Sequence, residues 1–172
     1  EVTAALRRDS LDGVQPVQAD VNHPDEISTL FDPAIVYAKG GRLLVMVRRL
    51  IGEEAFRTGL KSYFEKFAYQ NTVGDDLWRE LETASGQPIV DLMNTWISQP
   101  GLPIVQVKQD NSAEQPAATL HQERFFIGDH QPSDTCWPIP LFANQPLDDT
   151  MLTEREKTFT IEKPLQLNCG LN

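Results

Sequence analysis

Catalysis at neutral pH needs a metal, an activated nucleophile or a pair of groups that pass a proton, all within hydrogen-bond reach of one another. The 172 residues offer few such sets. His23, His121 and His130 are scattered, and none forms the i, i+4 pair that puts two imidazoles on one helical face for zinc. Cys136 and Cys169 belong to no CxxC or Cys/His ligand spacing and read as reduced thiols, with one disulfide between them as the alternative. Neither a G-x-S-x-G elbow nor a Gly-rich phosphate loop is present. Asp75, Asp76, Glu80 and Glu82 read as the solvated face of a helix, not as a general acid and base. None of these makes a complete set, and Tyr37, Lys39, Gly40 and Gly41 add no nucleophile, metal ligand or acid–base pair that would. By itself Tyr37 reads as a plain aromatic of a helix face, as most tyrosines at helical spacing do. Lys39 reads as an ion-pair partner before a catalyst, and the two glycines either as positions where something packs closely on the backbone or as glycines that the helix simply tolerates.

The elements that would carry these residues fall into two grammars that change near residue 100. Residues 2–8 read as helix and 9–21 as loop. Asn22-His23-Pro24-Asp25-Glu26 supplies a cap, a first-turn proline and early acids for a short helix, and Asp32-Pro33 repeats the signal. From there to Ile51 the pattern predicts one buried helix with Val36, Leu43, Val47 and Leu50 inside. Further helices are expected over 53–67, over 75–85 with Asp75 as cap and Gly86 as stop, and over 89–98. The aromatics Phe56, Tyr63, Phe64, Phe67 and Tyr69 are expected to be core. Gln99-Pro100-Gly101-Leu102-Pro103 cannot continue a helix and marks a junction. Beyond it, short strands are expected over 104–107, 117–127, 137–142, 157–161 and 165–168, with a polar hairpin tip at 109–115 and a charged turn at 148–157. The expected fold is therefore multi-domain, α then β: an all-α helical bundle over 1–99 followed by a small β-sandwich over 100–172.

Composition narrows the function classes. A net charge of −10, from 25 acids against 15 bases with no basic run longer than Arg48-Arg49, repels phosphate backbones and argues against nucleic acid. No apolar run approaches the roughly 18 residues of a membrane span. Glu1 is not a Met and no signal segment follows it, so a piece of a longer or processed chain is expected. The absence of N-x-S/T sequons agrees with a cytoplasmic location.

Phe31-Asp32-Pro33-Ala34-Ile35-Val36-Tyr37-Ala38-Lys39-Gly40-Gly41 closely resembles the F-D…I-x-Y-x-K-G segment of the M1 family of zinc aminopeptidases. Asn22-His23-Pro24-Asp25-Glu26-Ile27 before it is also similar to that family, as is Trp96-Ile97-Ser98-Gln99-Pro100-Gly101-Leu102-Pro103-Ile104-Val105 after it, matching W-x-x-Q-x-G-x-P-x-V. The likeness covers residues 6–107 well and is loose across the strand region.

The resemblance implies the helical end of a thermolysin-like catalytic domain joined to a β-sandwich. In the family a zinc-bound water attacks the carbonyl of the first peptide bond, a glutamate takes its proton, and a tyrosine hydrogen-bonds the resulting oxyanion. Tyr37 falls on that tyrosine, and a phenol, with pKa near 10, stays protonated at neutral pH and donates one directed hydrogen bond, which suits a developing negative charge. The family's H-E-x-x-H zinc helix, the later glutamate ligand and the G-x-M-E-N segment that grips the substrate amine do not occur here. The expectation is thus a fragment that binds no Zn2+ of its own and is inactive alone, its parent cleaving N-terminal residues from peptides. The last residues resemble the start of the final sandwich strands, so an open sheet edge and self-association through it are expected. Two other readings stay open: a non-catalytic β-sandwich interaction module with supporting helices, and an M1 scaffold whose activity has been lost.

Overall fold

The computed structural model describes residues 2–112 and 115–168. The chain divides into two compact units. The first takes the residues up to Asp9 and Val14–Pro100, and the second takes Ser10–Gly13 and the residues from Gly101 onward.

The helical unit begins with α1 (Val2–Asp9). A 3-10 turn at Pro24–Glu26 then leads into α2 (Ile27–Leu30). His23 caps that turn: its Nδ1 accepts from Asp25 N at 3.3 Å, while Glu26 Oε2 reaches back to Asn22 N at 2.9 Å. Asp32 starts the next helix as its position beside Pro33 leads one to expect, its Oδ1 accepting Ala34 N at 2.9 Å and its carbonyl accepting Ile35 N and Val36 N. That helix is not uniform. Ala34–Lys39 is a π-helix, with Gly40 N–H bonded to Ile35 O, and α3 (Gly40–Ile51) continues it in ordinary α geometry. The wide turn holds one extra residue, so the apolar phase upstream of Gly40 slips by one. The buried stripe is Ile35, Lys39, Leu43 and Val47, whereas Val36 and Leu50 are only half-buried.

α4 (Glu53–Lys66), α5 (Gly74–Ser85) and α6 (Ile89–Ser98) complete the unit. Its interior is built from Ile35, Leu43, Val47, Trp78, Leu81, Ile89, Leu92 and Met93. α4 and α5 meet at Gly59, where a β-carbon would lie 2.9 Å from Leu81 Cδ2 and 3.0 Å from Glu80 O. The cap of α5 differs from expectation. The helix begins at Gly74, one residue early, so Asp76 and not Asp75 reaches back to accept Val73 N at 3.0 Å. Gly86 ends α5 in the left-handed region at φ 69°, which costs a glycine no Cβ clash.

The expected aromatic core on α4 is corrected by the structure. Phe56, Tyr63 and Phe67 are half-buried, Phe64 is 67% exposed, and Tyr69 is fully exposed in a left-handed conformation. Gly59 brings α4 close against α5, and of these rings Tyr63 meets Phe64 edge-on and Phe67 at a tilt, each with centroids 5.4 Å apart. The acids of α5 are likewise not a solvated face. Glu80 is buried and accepts from Ser62 Oγ at 2.6 Å and Lys66 Nζ at 2.7 Å, and Glu82 accepts Val90 N at 3.0 Å.

The second unit contains an antiparallel sheet in the order β1-β2-β5, from β1 (Pro103–Asp110), β2 (Ala117–Arg124) and β5 (Glu156–Thr160). The register pairs Val105 with Gln122 and Leu120 with Lys157. A second, smaller sheet joins β3 (Ile139–Pro140) to β4 (Met151–Leu152). Ala118, Leu120, Leu141, Leu152, Phe159, Ile161 and Leu165 form one core shared by these elements. β1 runs three residues further than its apolar pattern, into the expected hairpin tip, of which residues 113 and 114 lie outside the described residues. The charged stretch 148–157 contains β4 and the start of β5, and the expected strand at 165–168 is reduced to a single bridge, Ala143 to Leu167.

Where ladders are short, glutamine amides take their place. Gln122, Gln145 and Gln109 each accept from and donate to backbone groups far away in sequence: Gln122 at Trp137, Gln145 at Glu162 and Lys163, and Gln109 at Leu165. A primary amide carries one acceptor and one donor side by side, the same pair a neighbouring strand would offer.

Candidate active site around Tyr37

Tyr37 sits in the middle of the π-helix, and its side chain is 67% exposed. Residues four apart on a helix share a face, so Ile35 and Lys39, both buried, turn inward on one side while Tyr37 turns out on the other. Phe31 meets the Tyr37 ring edge-on, with centroids 5.6 Å apart and planes at 82°, a favourable aromatic geometry that restrains the ring. Phe31 is itself held by its N–H bond to Ile27 O at 3.0 Å, and the following Asp32 pairs with Arg8 of α1.

Beside the tyrosine is an open, mainly apolar cavity of about 290 Å³, lined among others by Val17, Leu44, Trp78, Met93 and Ile97. Gly40 and Gly41 line it too, and this corrects the reading of them as tight contacts. A β-carbon on Gly40 would come no nearer than 3.9 Å to any neighbour, and one on Gly41 would meet nothing within 4 Å. The close-approach glycine of this unit is Gly59, where no motif flagged it. Lys39 is an ion-pair partner as expected: its Nζ lies 2.8 Å from Asp9 Oδ2 and 3.1 Å from Asp9 Oδ1, and also donates to Gln99 O at 3.4 Å.

The remaining candidates do not converge on Tyr37. His23 caps a turn, His121 lies 3.4 Å from Glu156, and His130 stacks on the Phe126 ring at 4.2 Å. Among the described residues, no group of three or more His, Cys, Asp or Glu side chains lies close enough to hold a metal ion. The chain's own described residues therefore do not fit a zinc centre. Cys136 is half-buried, and Cys169 lies outside the described residues. Glu80 titrates below the usual carboxylate range because Lys66 and then Ser62 hydrogen-bond it, and Asp149 does so because of Lys157, whose own pKa is raised by the same bond. Both pairs hold elements together: Glu80 joins α5 to α4, and Lys157 of β5 reaches the loop before β4. No helix among the described residues is long and apolar enough to cross a membrane.

Asp9 is the participant that sequence reading missed. It lies 30 residues before its partner Lys39, at a position that read as the start of a loop. No local pattern links the two.

The chain is thus a helical unit and a small antiparallel β unit, with an exposed tyrosine on the helix that follows F-D-P. The peptidase family M1 domain matches residues 1–96, more than half of the chain, and the chain belongs to that family. Among its relatives, aminopeptidase N of Lactococcus lactis subsp. lactis is 52% identical over 155 residues, covering 90% of this chain and 18% of the relative. Aminopeptidase N of Lactobacillus helveticus is 43% identical over 180 aligned positions, covering all of this chain and 21% of the relative. Tricorn protease-interacting factor F2 of Thermoplasma volcanium is 42% identical over 170, covering 99% and 21%. The chain thus spans about a fifth of the length of these curated relatives. A crystal structure of Legionella pneumophila aminopeptidase A in complex with aspartic acid shares the fold, with a TM-score of 0.62 at 18% identity, over 91% of this chain and 18% of that one.

Proposed function

We propose that this chain is the part of an M1 aminopeptidase that supplies the oxyanion-stabilising donor, and that Tyr37 is that donor. The observation that carries the reading is the contrast within one turn: Tyr37 is two-thirds exposed while Ile35 and Lys39 on either side are buried. A side chain so held is aimed without being packed away. A neutral phenol donates one directed hydrogen bond, and preorganised donors of this kind lower the barrier to acyl transfer because they need not reorganise as charge develops.

The whole protein, on this reading, removes N-terminal residues from peptides in the cytoplasm with the help of Zn2+, which acts as a Lewis acid. Its ligands would come from outside the described residues, so the piece alone is expected to be inactive. Residues 1–99 would close the catalytic domain, and 100–172 would form the adjoining β-sandwich. Membership of a peptidase family favours this over a purely binding role for the β unit.

The decisive measurement is steady-state kinetics of the full-length protein carrying Tyr37→Phe. Loss of one oxyanion donor should lower kcat by about 10²–10³-fold, with zinc content unchanged. Equal turnover by variant and parent would remove Tyr37 from the mechanism. β1 and β5 are the outer strands of the three-stranded sheet among the described residues, and self-association of the piece through them is part of the proposal. Sedimentation that shows only monomer at high concentration would dispose of it.

A further inference from the structure

Lys39 lies two residues beyond Tyr37, at the end of the π-helix, and is buried in an ion pair with Asp9, the last residue of α1. The two side chains are only 7% and 4% exposed. We infer that the Asp9–Lys39 pair is a positioning device that sets the rotation of the π-helix and so the direction of the Tyr37 hydroxyl, an inference that rests on the catalytic reading of Tyr37.

The argument starts from the π-helix. Such turns are rare, and the same residues have an ordinary α-helix available to them. Passing from one to the other removes the extra residue of the wide turn and rotates everything before it relative to everything after it. Tyr37 is inside the segment that would turn. Apolar contacts resist this only weakly, because burial is non-directional: Ile35, fully buried, could exchange places with Val36, which is apolar and half-buried already. An ion pair is different. Lys39 Nζ must remain within 3.1 Å of both Asp9 oxygens, with Gln99 O as a further acceptor at 3.4 Å from the end of α6. Rotation of the turn would withdraw Nζ and leave a buried carboxylate without that partner, which is strongly unfavourable.

A buried ion pair adds little stability over a well-packed apolar pair of the same size, since desolvation offsets its attraction. What it adds here is register. Replacing both partners by apolar residues should therefore preserve the fold and lose the aim of Tyr37, whereas a merely stabilising pair would show no such separation.

The test uses the full-length protein with Asp9→Leu/Lys39→Met, Asp9→Asn and Tyr37→Phe side by side, reading kcat, KM and thermal midpoint. Misplacement of a reacting group by about 1 Å can cost about 10²-fold. The expected result for the double variant is a kcat lower by about 10- to 100-fold, a KM within about two-fold and a thermal midpoint near that of the parent. Asp9→Asn keeps an oxygen for Lys39 but not the charge, and should lower kcat by a smaller factor of about three- to ten-fold. If the double variant does not fold, this second variant decides by the same split. Parental kcat in a folded variant while Tyr37→Phe is slow overturns the inference and leaves the role of Tyr37 standing. Loss of activity only in step with loss of folded protein also overturns it. Parental kcat in Tyr37→Phe removes the reading of Tyr37 and the inference together.

Discussion

Gln122 holds the backbone of Trp137 from both sides, its Oε1 accepting Trp137 N at 2.9 Å and its Nε2 donating to Trp137 O at 2.9 Å. The same Nε2 donates to Glu154 O at 2.9 Å, so one fully buried amide ties β2 to two separate loops. In a unit whose β3 and β4 are two residues each, this amide does the work of a missing strand.

Gln122→Leu keeps the volume and removes all three bonds. Net loss per bond is about 1 kcal/mol, rising toward about 3 where the backbone group is left buried without a replacement, so a cost of about 3–5 kcal/mol is expected. Urea unfolding of the residues 100–172 region should show a lower midpoint with an unchanged slope, the mark of lost stability in an intact native state. A midpoint equal to the parent's would mean that water replaces the amide without penalty.

Gly59→Ala sets helix propensity against packing. Alanine is the better helix former by about 1 kcal/mol, but its β-carbon would enter a space where Leu81 Cδ2 is 2.9 Å and the Glu80 carbonyl 3.0 Å away. Backbone cannot move aside as a side chain can, and overpacking of this kind costs about 1–3 kcal/mol. A reduced thermal midpoint is the expected outcome, and a raised one would show that α4 and α5 can separate freely.

Glu80 predicts an acid-sensitive joint between α4 and α5. Hydrogen bonds from Lys66 and Ser62 lower its pKa in the folded state from the usual 4.5. A lowered folded pKa means that the unfolded chain binds the proton more readily, so the contribution is fully present above pH 4.5 and is lost as pH falls through the folded value. Lys66→Met should therefore be less stable than the parent by a constant amount at pH 6–8, and the gap should narrow below about pH 4.5. Denaturation curves at a series of pH values test this, and a gap that widens in acid would contradict the assignment.

What could be read from residue order was whatever depends on near neighbours. The two-unit plan, the helices from residue 22 to 98, the Asp32 start signal and the Gly86 stop all follow from caps, prolines and apolar spacing, because helix formation is decided within a few residues. Tyr37 was legible as a candidate through the run from Phe31 to Gly41. Tertiary structure decided the rest. The π turn moved the buried position upstream of Gly40 from Val36 to Ile35, since a wide turn is invisible to a fixed helical period, while Leu43 and Val47 are buried as the spacing predicts. The exposed aromatics of α4 could not be told from buried ones by spacing alone, and the meaning of Gly59 depends on Glu80 and Leu81 of the following helix. The link from Asp9 to Lys39 and the glutamine clamps of the β unit join groups that sequence leaves far apart, and only folding brings a charge and its counter-charge, or an amide and a strange backbone, into the same small space.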